Sequence, residues 1–254
     1  MRKIEKLLRV IARSRYRRAF VRHGVAAGVE HESLLKQISC RTVVDIGANR
    51  GQFALVAMEM FPEAQIFSFE PLTKPAETFR RVFADRTAKL FPVAVGPTRS
   101  QELIHLSARD DSSSLLPITS AQSALFPGTE EISTQTVEVS PLGLQIKADQ
   151  IVAPALLKMD VQGFELSALA GCEDLLSRFC YAYIECSFIE LYEGQALADE
   201  VIRWMAARGF SLDGVYNVSF DLKGRAIQAD FFFAVPRPAP VCVNKRANRG
   251  QANL

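Results

Sequence analysis

From residue 42 to residue 235, short apolar runs alternate with longer segments in which apolar residues recur at helical spacing. The short runs predict strands over residues 42–47, 65–71, 88–96, 156–161 and 181–186. The intervening segments predict amphipathic helices over residues 51–61, 75–86, 164–179 and 196–209. Strands that alternate with helices in this way predict an α/β fold, a doubly wound sheet that is mostly parallel.

The alternation breaks at two places. Residues 97–154 contain the strand-like runs "ELIHLS" and "STQTVEVS" around the polar loop "ARDDSSSLLPITS", which predicts an inserted β segment. The last two runs, "FSLDGVYNVSF" and "RAIQADFFFAV", follow each other without a helix, so we expect an antiparallel pair and an antiparallel strand at one edge of the sheet. Pro92 lies inside the third run and predicts a bulge or an edge there.

Residues 1–40 predict a basic helical segment before the domain at 41–235. Residues 1–22 contain nine Lys or Arg against one acid, Glu5, and the first helix has an apolar face of Ile4, Leu7, Leu8 and Ile11. Two interpretations remain open: the helix docks on its own domain or on a partner subunit, or it makes peripheral contact with an anionic membrane at its inner face. The tail at 236–254, rich in Pro, Asn and Arg, is predicted to be disordered.

Composition excludes several classes of protein. The chain is 48% hydrophobic and 23% charged, as in ordinary globular domains. It has neither a signal-peptide pattern nor a run of 18 apolar residues, so we expect a cytoplasmic protein. Five scattered cysteines and three distant histidines predict no metal site. A net charge of +2 without an aromatic platform argues against nucleic acid as a partner. Nothing in the sequence indicates an oligomeric state.

Three acids lie at the ends of predicted strands. Asp45 belongs to "VVDIGANRG", which continues through Gly47 and Gly51 into a helix, Glu70 belongs to "FEP", and Asp160 belongs to "KMDVQG". Ligands of doubly wound sheets lie at the carboxyl ends of the strands. We therefore expect the three acids to share one site.

The spacing after Gly47 is G-x-x-x-G, not the G-x-G-x-x-G of dinucleotide-binding turns. A carboxylate at Asp45 would repel a diphosphate and favour a cation, and S-adenosylmethionine is cationic and has no phosphate. Glu70 suits the ribose hydroxyls of either this molecule or a nicotinamide dinucleotide, so an oxidoreductase remains the alternative. Purely structural roles also remain open, Glu70 as a helix cap and Asp45 as a turn carboxylate.

"VVDIGANRGQFALVAMEMFPEAQIFSFEP", followed by "FPVAVG", "LLKMDVQGFELSALAG" and "QADFFFA", resembles the FkbM-type family of S-adenosylmethionine-dependent methyltransferases over about residues 42 to 234. D-x-G-A-N-x-G, F-E-P and K-x-D-x-x-G-x-E-x-x-x-L-x-G occur in this order. The resemblance implies a seven-stranded Rossmann-like methyltransferase sheet. It also implies O-methylation of a sugar, glycan or other small-molecule hydroxyl, which would make that molecule the acceptor partner.

The resemblance also implies roles for individual residues. One turn would surround the methionine part of S-adenosylmethionine, and its residues are Asp45, Gly47, Ala48, Asn49 and Gly51. Glu70, with Pro71 beside it, would hold the ribose, and Asp160 and Gly163 would lie near the sulfonium and the acceptor. Gln162 stands where many family members have a second acid, which argues against a pair of carboxylates at this position.

Methyl transfer to a hydroxyl requires alignment of the reactants and removal of a proton. Asp160, Glu185 at the end of the fifth strand and His105 in the insert are the candidate bases. Asp160 has an electrostatic or cofactor-contacting role as its alternative, and His105 a packing role. Ser113 in "DDSSS" is predicted to line the site, with a solvated turn as the alternative. A protein that binds the cofactor without catalysis is a further alternative.

Overall fold

The computed structural model describes residues 3–84 and 88–236, so the predicted tail beyond Pro236 lies outside the described residues. The described strands are β1 (Thr42–Ile46), β2 (Gln65–Phe69), β3 (Lys89–Phe91), β4 (Ala94–Val95), β5 (Ser100–Ser107), β6 (Glu131–Ser140), β7 (Ala155–Met159), β8 (Tyr181–Ser187), β9 (Ser211–Phe220) and β10 (Ala226–Ala234). They form a seven-stranded sheet in the order β3-β2-β1-β7-β8-β10-β9 and a three-stranded sheet in the order β4-β6-β5.

The large sheet is mostly parallel, as the sequence predicts. β3, β2, β1, β7 and β8 run in one direction. β10 is antiparallel to both of its neighbours, β8 and β9. The antiparallel strand therefore lies one position inside the edge, because the final hairpin inserts β10 between β8 and β9.

The described helices are α1 (Lys3–Ala12), α2 (Ser14–His23), α3 (Glu32–Leu35), α4 (Gln52–Met60), α5 (Thr73–Val82), α6 (Ser120–Leu125), α7 (Glu165–Ala170), α8 (Glu173–Leu176) and α9 (Ala198–Ala206). α4 and α9 lie within the predicted helices. The prediction of one continuous helix over 164–179 is wrong, since α7 and α8 are separated by residues 171–172. Among the described residues, no helix is long and apolar enough to cross a membrane.

Pro92 divides the predicted third strand into two. β3 ends at Phe91 and forms an edge of the large sheet, whereas β4 begins at Ala94 and pairs with β6 of the small sheet. Proline has no N–H group with which to continue a ladder. The predicted β insert forms the rest of the small sheet, in which β5 and β6 are antiparallel.

Apolar side chains cover both faces of the large sheet. On one face, Ile46 and Met159 belong to a buried cluster that includes residues of α7, α8 and α9. On the other face, Val43 packs in a cluster that includes α4 and several N-terminal side chains, among them Tyr16 and Leu35. The N-terminal segment therefore completes the packing of one face of the sheet.

The N-terminal helix differs from the prediction. The chain leaves the helical conformation at Arg13, which separates α1 from α2. Lys6 Nζ lies 2.8 Å from Glu30 Oε1, and an Arg9 guanidinium nitrogen lies 2.6 Å from Glu32 Oε2. α1 thus docks on its own domain through basic side chains, which turns the predicted apolar face towards solvent, with exposed fractions of 75% for Ile4, 43% for Leu7, 64% for Leu8 and 43% for Ile11.

Gly47 allows the turn after β1 to contact the segment after β7. Its φ is +79°, and a Cβ atom built on it would lie 1.8 Å from the carbonyl oxygen of Asp160. The Gly47 N–H donates to the carbonyl of Phe69 at 3.0 Å, which also ties the turn to β2. Only glycine fits this combination of dihedral angle and close approach.

We expect Gly47→Ala to lower the free energy of unfolding by roughly 3 kcal/mol. The alanine would be strained by its left-handed dihedral angle, and its Cβ atom would in addition push away the backbone carbonyl of Asp160. Gly24→Ala is the matched control, since Gly24 has a φ of +67° and no atom lies within 4 Å of the position that its added Cβ atom would take. The control isolates the dihedral strain, about 1–2 kcal/mol. Urea denaturation measures both variants, and equal losses would contradict the crowding at Gly47.

Candidate active site

A cavity of about 410 Å³ is lined by residues at the carboxyl ends of β1, β2, β7 and β8. The insert and the N-terminal segment supply the remaining walls. This is the end of the sheet at which doubly wound folds bind their ligands. The cavity therefore lies where the sequence predicts a site.

The turn between β1 and α4 forms one wall. Gly47, Ala48 and Asn49 line the cavity, and Asn49 has a positive φ of 46°. Asn49 Oδ1 accepts a hydrogen bond from the Arg50 N–H at 2.8 Å, which stabilises the turn. Gly51 does not line the cavity, because it packs instead against the aromatic rings of Phe79 and Phe83.

Glu70 lies at the end of β2 and lines the cavity, with Pro71 beside it. Its carboxylate accepts one backbone hydrogen bond from Asn49 at 2.9 Å and another from Leu72 at 2.8 Å. Burial raises the pKa of Glu70 to about 7 despite these hydrogen bonds. Each carboxylate oxygen retains a lone pair for a ligand hydroxyl.

Asp45 does not line the cavity. Its side chain is completely buried on the face of the sheet that α4 covers, and Lys158 Nζ lies 3.7 Å from Asp45 Oδ1. Burial raises the pKa of Asp45 to about 6, although Lys158 opposes this shift. The prediction that Asp45 itself faces a cationic ligand is therefore wrong, because the ammonium group of Lys158 lies on it instead.

Of the two acids beside Lys158, Asp160 reaches the cavity and Asp45 does not. Its Oδ2 lies 3.4 Å from Lys158 Nζ, and its Oδ1 accepts a hydrogen bond from Gln162 Nε2 at 2.6 Å. Burial alone would raise the pKa of Asp160, but Lys158 and Gln162 outweigh burial and lower it. Asp160 therefore remains a carboxylate at neutral pH.

Gln162 joins Asp160 to Glu185, which also lines the cavity. Gln162 Nε2 donates to Glu185 Oε2 at 2.9 Å, and Gln228 donates to the other oxygen of Glu185 at 2.8 Å. Burial, followed by the negative charge of Asp160, raises the pKa of Glu185 well above its ordinary value. The amide at position 162 thus keeps two acids close together where a third acid would add repulsion.

Gly163 lies outside the cavity wall, next to a helix-capping acid. Glu165 Oε1 accepts hydrogen bonds from the backbone N–H groups of Val161 and Gly163 at 3.2 and 3.1 Å. Glu165 therefore stabilises the N-terminus of α7 and does not reach the site.

The "DDSSS" loop of the insert is packed into the site. Ser113 lines the cavity, and Ser114, which is 1% exposed, donates a hydrogen bond to the carbonyl of Gln162 at 2.6 Å. Asp110 accepts a hydrogen bond from Arg50 Nε at 3.1 Å, which connects the loop to the turn after β1. The solvated-turn alternative for this loop is therefore wrong.

His105 does not reach the cavity. Its Nδ1 lies 3.0 Å from Glu131 Oε2, on the strand with which β5 pairs. The insert therefore contributes its serine loop to the site and keeps His105 on the small sheet, so the geometry does not support His105 as a base.

Several cavity residues are not predicted from the sequence. The N-terminal segment contributes Lys6, Glu30 and His31, and β10 contributes Gln228. Gln228 begins the run "QADFFFA", which assigns it no role, and Lys6, Glu30 and His31 belong to no motif. His31 lies in sequence far from the strand ends that identify the site. Only the docking of the N-terminal segment on the sheet brings it there.

The cavity fits S-adenosylmethionine in chemical character. Apolar side chains suit a flat adenine ring, and they include Phe69, Leu72, Val93 and Ile104. The buried Glu70 carboxylate suits two ribose hydroxyls, and the exposed backbone from Gly47 to Asn49 suits the amino acid part. The ionised Asp160 suits a positive charge.

Comparison with known proteins identifies the family. The family model "Methyltransferase FkbM domain" matches residues 45–212. The 2-O-methyltransferase NoeI of Sinorhizobium fredii is 30% identical over 168 residues, which cover 60% of this chain and 66% of that protein. The chain thus spans just under two thirds of the length of this curated relative.

A solved structure shares the fold. The methyltransferase FkbM from Methylobacillus flagellatus superimposes with a TM-score of 0.50 at 16% identity, over 76% of this chain and 43% of that one. An rRNA methylase from Streptococcus thermophilus gives a TM-score of 0.47 at 8% identity, over 81% of this chain and 94% of that one. The family match favours methyl transfer over the nicotinamide alternative. The chain belongs to the FkbM methyltransferase family.

Proposed function

We propose that the protein methylates a hydroxyl group of a sugar, a glycan or another small polyhydroxylated molecule. The observation that supports this most is the polar wall of the cavity, away from the apolar side chains that suit adenine. The wall contains the amides of Gln52, Gln162 and Gln228, the carboxyl group of Glu185, the ammonium group of Lys158 and the ring of Phe53. Such groups bind hydroxyls in both directions, as donors and as acceptors. The NoeI relative is named as a 2-O-methyltransferase.

On this proposal the turn from Gly47 to Asn49 holds the methionine part of the cofactor, and Glu70 accepts hydrogen bonds from the ribose hydroxyls. Ser113 and Pro71 lie against the nucleoside. Bound S-adenosylmethionine supplies an electrophilic methyl group. The protein then has to align the acceptor oxygen, exclude water and remove one proton.

We assign Asp160 an electrostatic role. Its lowered pKa keeps it ionised, so its charge stabilises the positive sulfonium, but the same property makes it a weak base. Glu185 has the opposite property, since burial and the charge of Asp160 raise its pKa and favour the protonated form. In that form Glu185 is a hydrogen-bond donor to the acceptor.

At about pH 8, above the raised pKa of Glu70, Glu70→Gln should weaken the binding of adenosylhomocysteine by roughly 10- to 100-fold, because hydrogen bonds from the ribose to a charged acceptor contribute about 1.5–3 kcal/mol. Isothermal titration calorimetry measures the affinity. Glu77→Gln, an exposed acid on α5, is the matched control and should bind normally. Unchanged affinity in a folded Glu70→Gln protein would contradict the ribose role.

Incubation with methyl-labelled S-adenosylmethionine and a panel of oligosaccharides, small phenols, amines and RNA tests the acceptor class. We expect label in oligosaccharide, recovered as an alkali-stable methyl ether with an O-methyl signal by NMR. Heat-denatured protein is the control. Label confined to amines or to RNA would contradict O-methylation of a polyhydroxylated acceptor.

We also propose that Ile4, Leu7, Leu8 and Ile11, named here the apolar ridge, contact an anionic lipid surface. The ridge is exposed, and α2 beside it presents the exposed cations Arg17, Arg18 and Arg22. An apolar stripe with neighbouring basic residues is complementary to anionic headgroups.

Co-sedimentation with phosphatidylcholine vesicles, with and without phosphatidylglycerol, tests the apolar ridge. Leu8→Glu should abolish sedimentation with the anionic vesicles, because a carboxylate enters the contact. Leu144→Glu is the control, since Leu144 is an exposed leucine outside the N-terminal segment. The proposal would be contradicted if the wild-type protein did not sediment with the anionic vesicles. It would also be contradicted if analytical ultracentrifugation showed that the apolar ridge mediates self-association instead.

A further inference from the structure

His31 lines the cavity although it lies outside residues 45–212, the part of the chain that matches the family model. It belongs to the 3-10 turn Val29–His31 that precedes α3. Its ring packs edge-on against Phe53, with ring centroids 5.2 Å apart, and Lys158 Nζ lies 5.6 Å from the centroid of the same Phe53 ring. The imidazole therefore shares the polar end of the cavity with Lys158.

One nitrogen of the ring is held by a buried network. His31 Nδ1 lies 3.2 Å from the Tyr183 hydroxyl and 3.5 Å from Asp230 Oδ2. The Tyr183 hydroxyl donates to Asp230 Oδ2 at 3.0 Å, so its only proton is already used. Nδ1 must therefore be the donor in its contact with Tyr183. This tautomer leaves a lone pair on Nε2.

The rest of the network fixes the same arrangement. Asn217 Nδ2 lies 3.4 Å from His31 Nδ1, but its two N–H groups donate to Asp230 Oδ2 at 2.8 Å and to the Tyr183 hydroxyl at 3.2 Å, so neither is left for Nδ1. Nε2 has no hydrogen-bond partner among the described residues. A histidine in a cavity wall, with one nitrogen oriented by a carboxylate network and a lone pair on the other, has the arrangement of a general base.

We propose that His31 is the general base that removes the proton of the acceptor hydroxyl, with Tyr183 and Asp230 as positioning residues. The inference rests on the proposed function, since only a protonated acceptor atom such as a hydroxyl oxygen needs a base. Asp160 and Glu185 are less suited. Asp160 is held ionised with a low proton affinity, and both oxygens of Glu185 already accept hydrogen bonds from Gln162 and Gln228.

The transfer balances in atoms and charge. The acceptor O–H bond breaks and its proton passes to Nε2, while the acceptor oxygen forms a bond to the methyl carbon. The carbon–sulfur bond breaks and its electron pair stays on sulfur. The positive charge of the sulfonium is thus replaced by that of the imidazolium, which lies 3.5 Å from Asp230.

The charged groups around His31 set its pH dependence. Each element that packs against His31 contributes one. Asp230 lies on β10, Glu30 precedes His31 in the 3-10 turn, Lys158 lies on β7, and Asp160 follows β7. Burial lowers the pKa of His31 below its ordinary value, and Asp230 and Glu30 oppose this shift only in part. The ring is therefore neutral at neutral pH, and activity should fall as the pH drops through this lowered pKa.

His31→Gln should reduce kcat by roughly 10²–10⁴-fold and remove the acidic limb of the kcat–pH profile. Its affinity for adenosylhomocysteine, measured by calorimetry, should stay within about threefold of wild type, since the change lies outside the cofactor wall. His23→Gln is the matched control, because His23 ends α2 away from the cavity. In His31→Ala, added imidazole should restore part of the lost rate.

A readout without turnover tests the tautomer. The chain has three histidines, so ¹⁵N-histidine NMR with the His31→Gln spectrum as reference assigns the ring directly. We expect a protonated Nδ1 and an unprotonated Nε2 in wild type, with this tautomer preference lost in Tyr183→Phe. A protonated Nε2 in the wild-type ring would overturn the inference.

The activity results separate the two proposals. If wild type forms methyl ethers and His31→Gln keeps its kcat and its acidic limb, the role of His31 is overturned and the proposed function stands. If wild type labels only nitrogen or carbon, the proposed function is overturned together with the role of His31. Loss of the acidic limb with retained adenosylhomocysteine affinity supports both.

Discussion

The ammonium group of Lys158 is buried between two carboxylates, and much of the site depends on it. Lys158 Nζ lies 3.7 Å from Asp45 and 3.4 Å from Asp160. Burial opposes its charge, but Asp160 and Asp45 outweigh burial and raise the pKa of Lys158. Removing one member of such a group leaves an uncompensated buried charge, which costs several kcal/mol. Lys158 thus permits Asp45 to remain inside the sheet and keeps Asp160 ionised at the cavity wall.

The same face of the sheet extends this polar layer across β8 and β10. Glu185 and Asp230 are paired in register on these two strands, and Tyr183 donates to Asp230. The layer is closed by the N-terminal segment, where His31 meets Tyr183. Side chains on alternate residues of adjacent strands therefore form a polar row that connects Asp160, after β7, to His31 in the N-terminal segment.

The strand ends could be predicted from the sequence because local patterns determine them. β-branched runs, the turn glycines and the acids Glu70 and Asp160 identify both the sheet and the cofactor end of the cavity. The burial of Asp45 could not be predicted, because it depends on Lys158 in a strand more than a hundred residues away. The outward apolar face of α1 and the position of His31 depend equally on tertiary ion pairs, such as that of Lys6 with Glu30, which leave no periodic signal.

The boundary of the family match separates two sets of residues in and around the cavity. Residues 45–212 include the turn after β1, Glu70, Asp160 and Glu185, which line the cavity. His31, Asn217, Gln228 and Asp230 all lie outside that range. A shared cofactor requires a constant wall, whereas different acceptors require different walls and differently placed bases. On the proposed function, the acceptor of this chain therefore also meets side chains from outside the matched range, and these converge on His31.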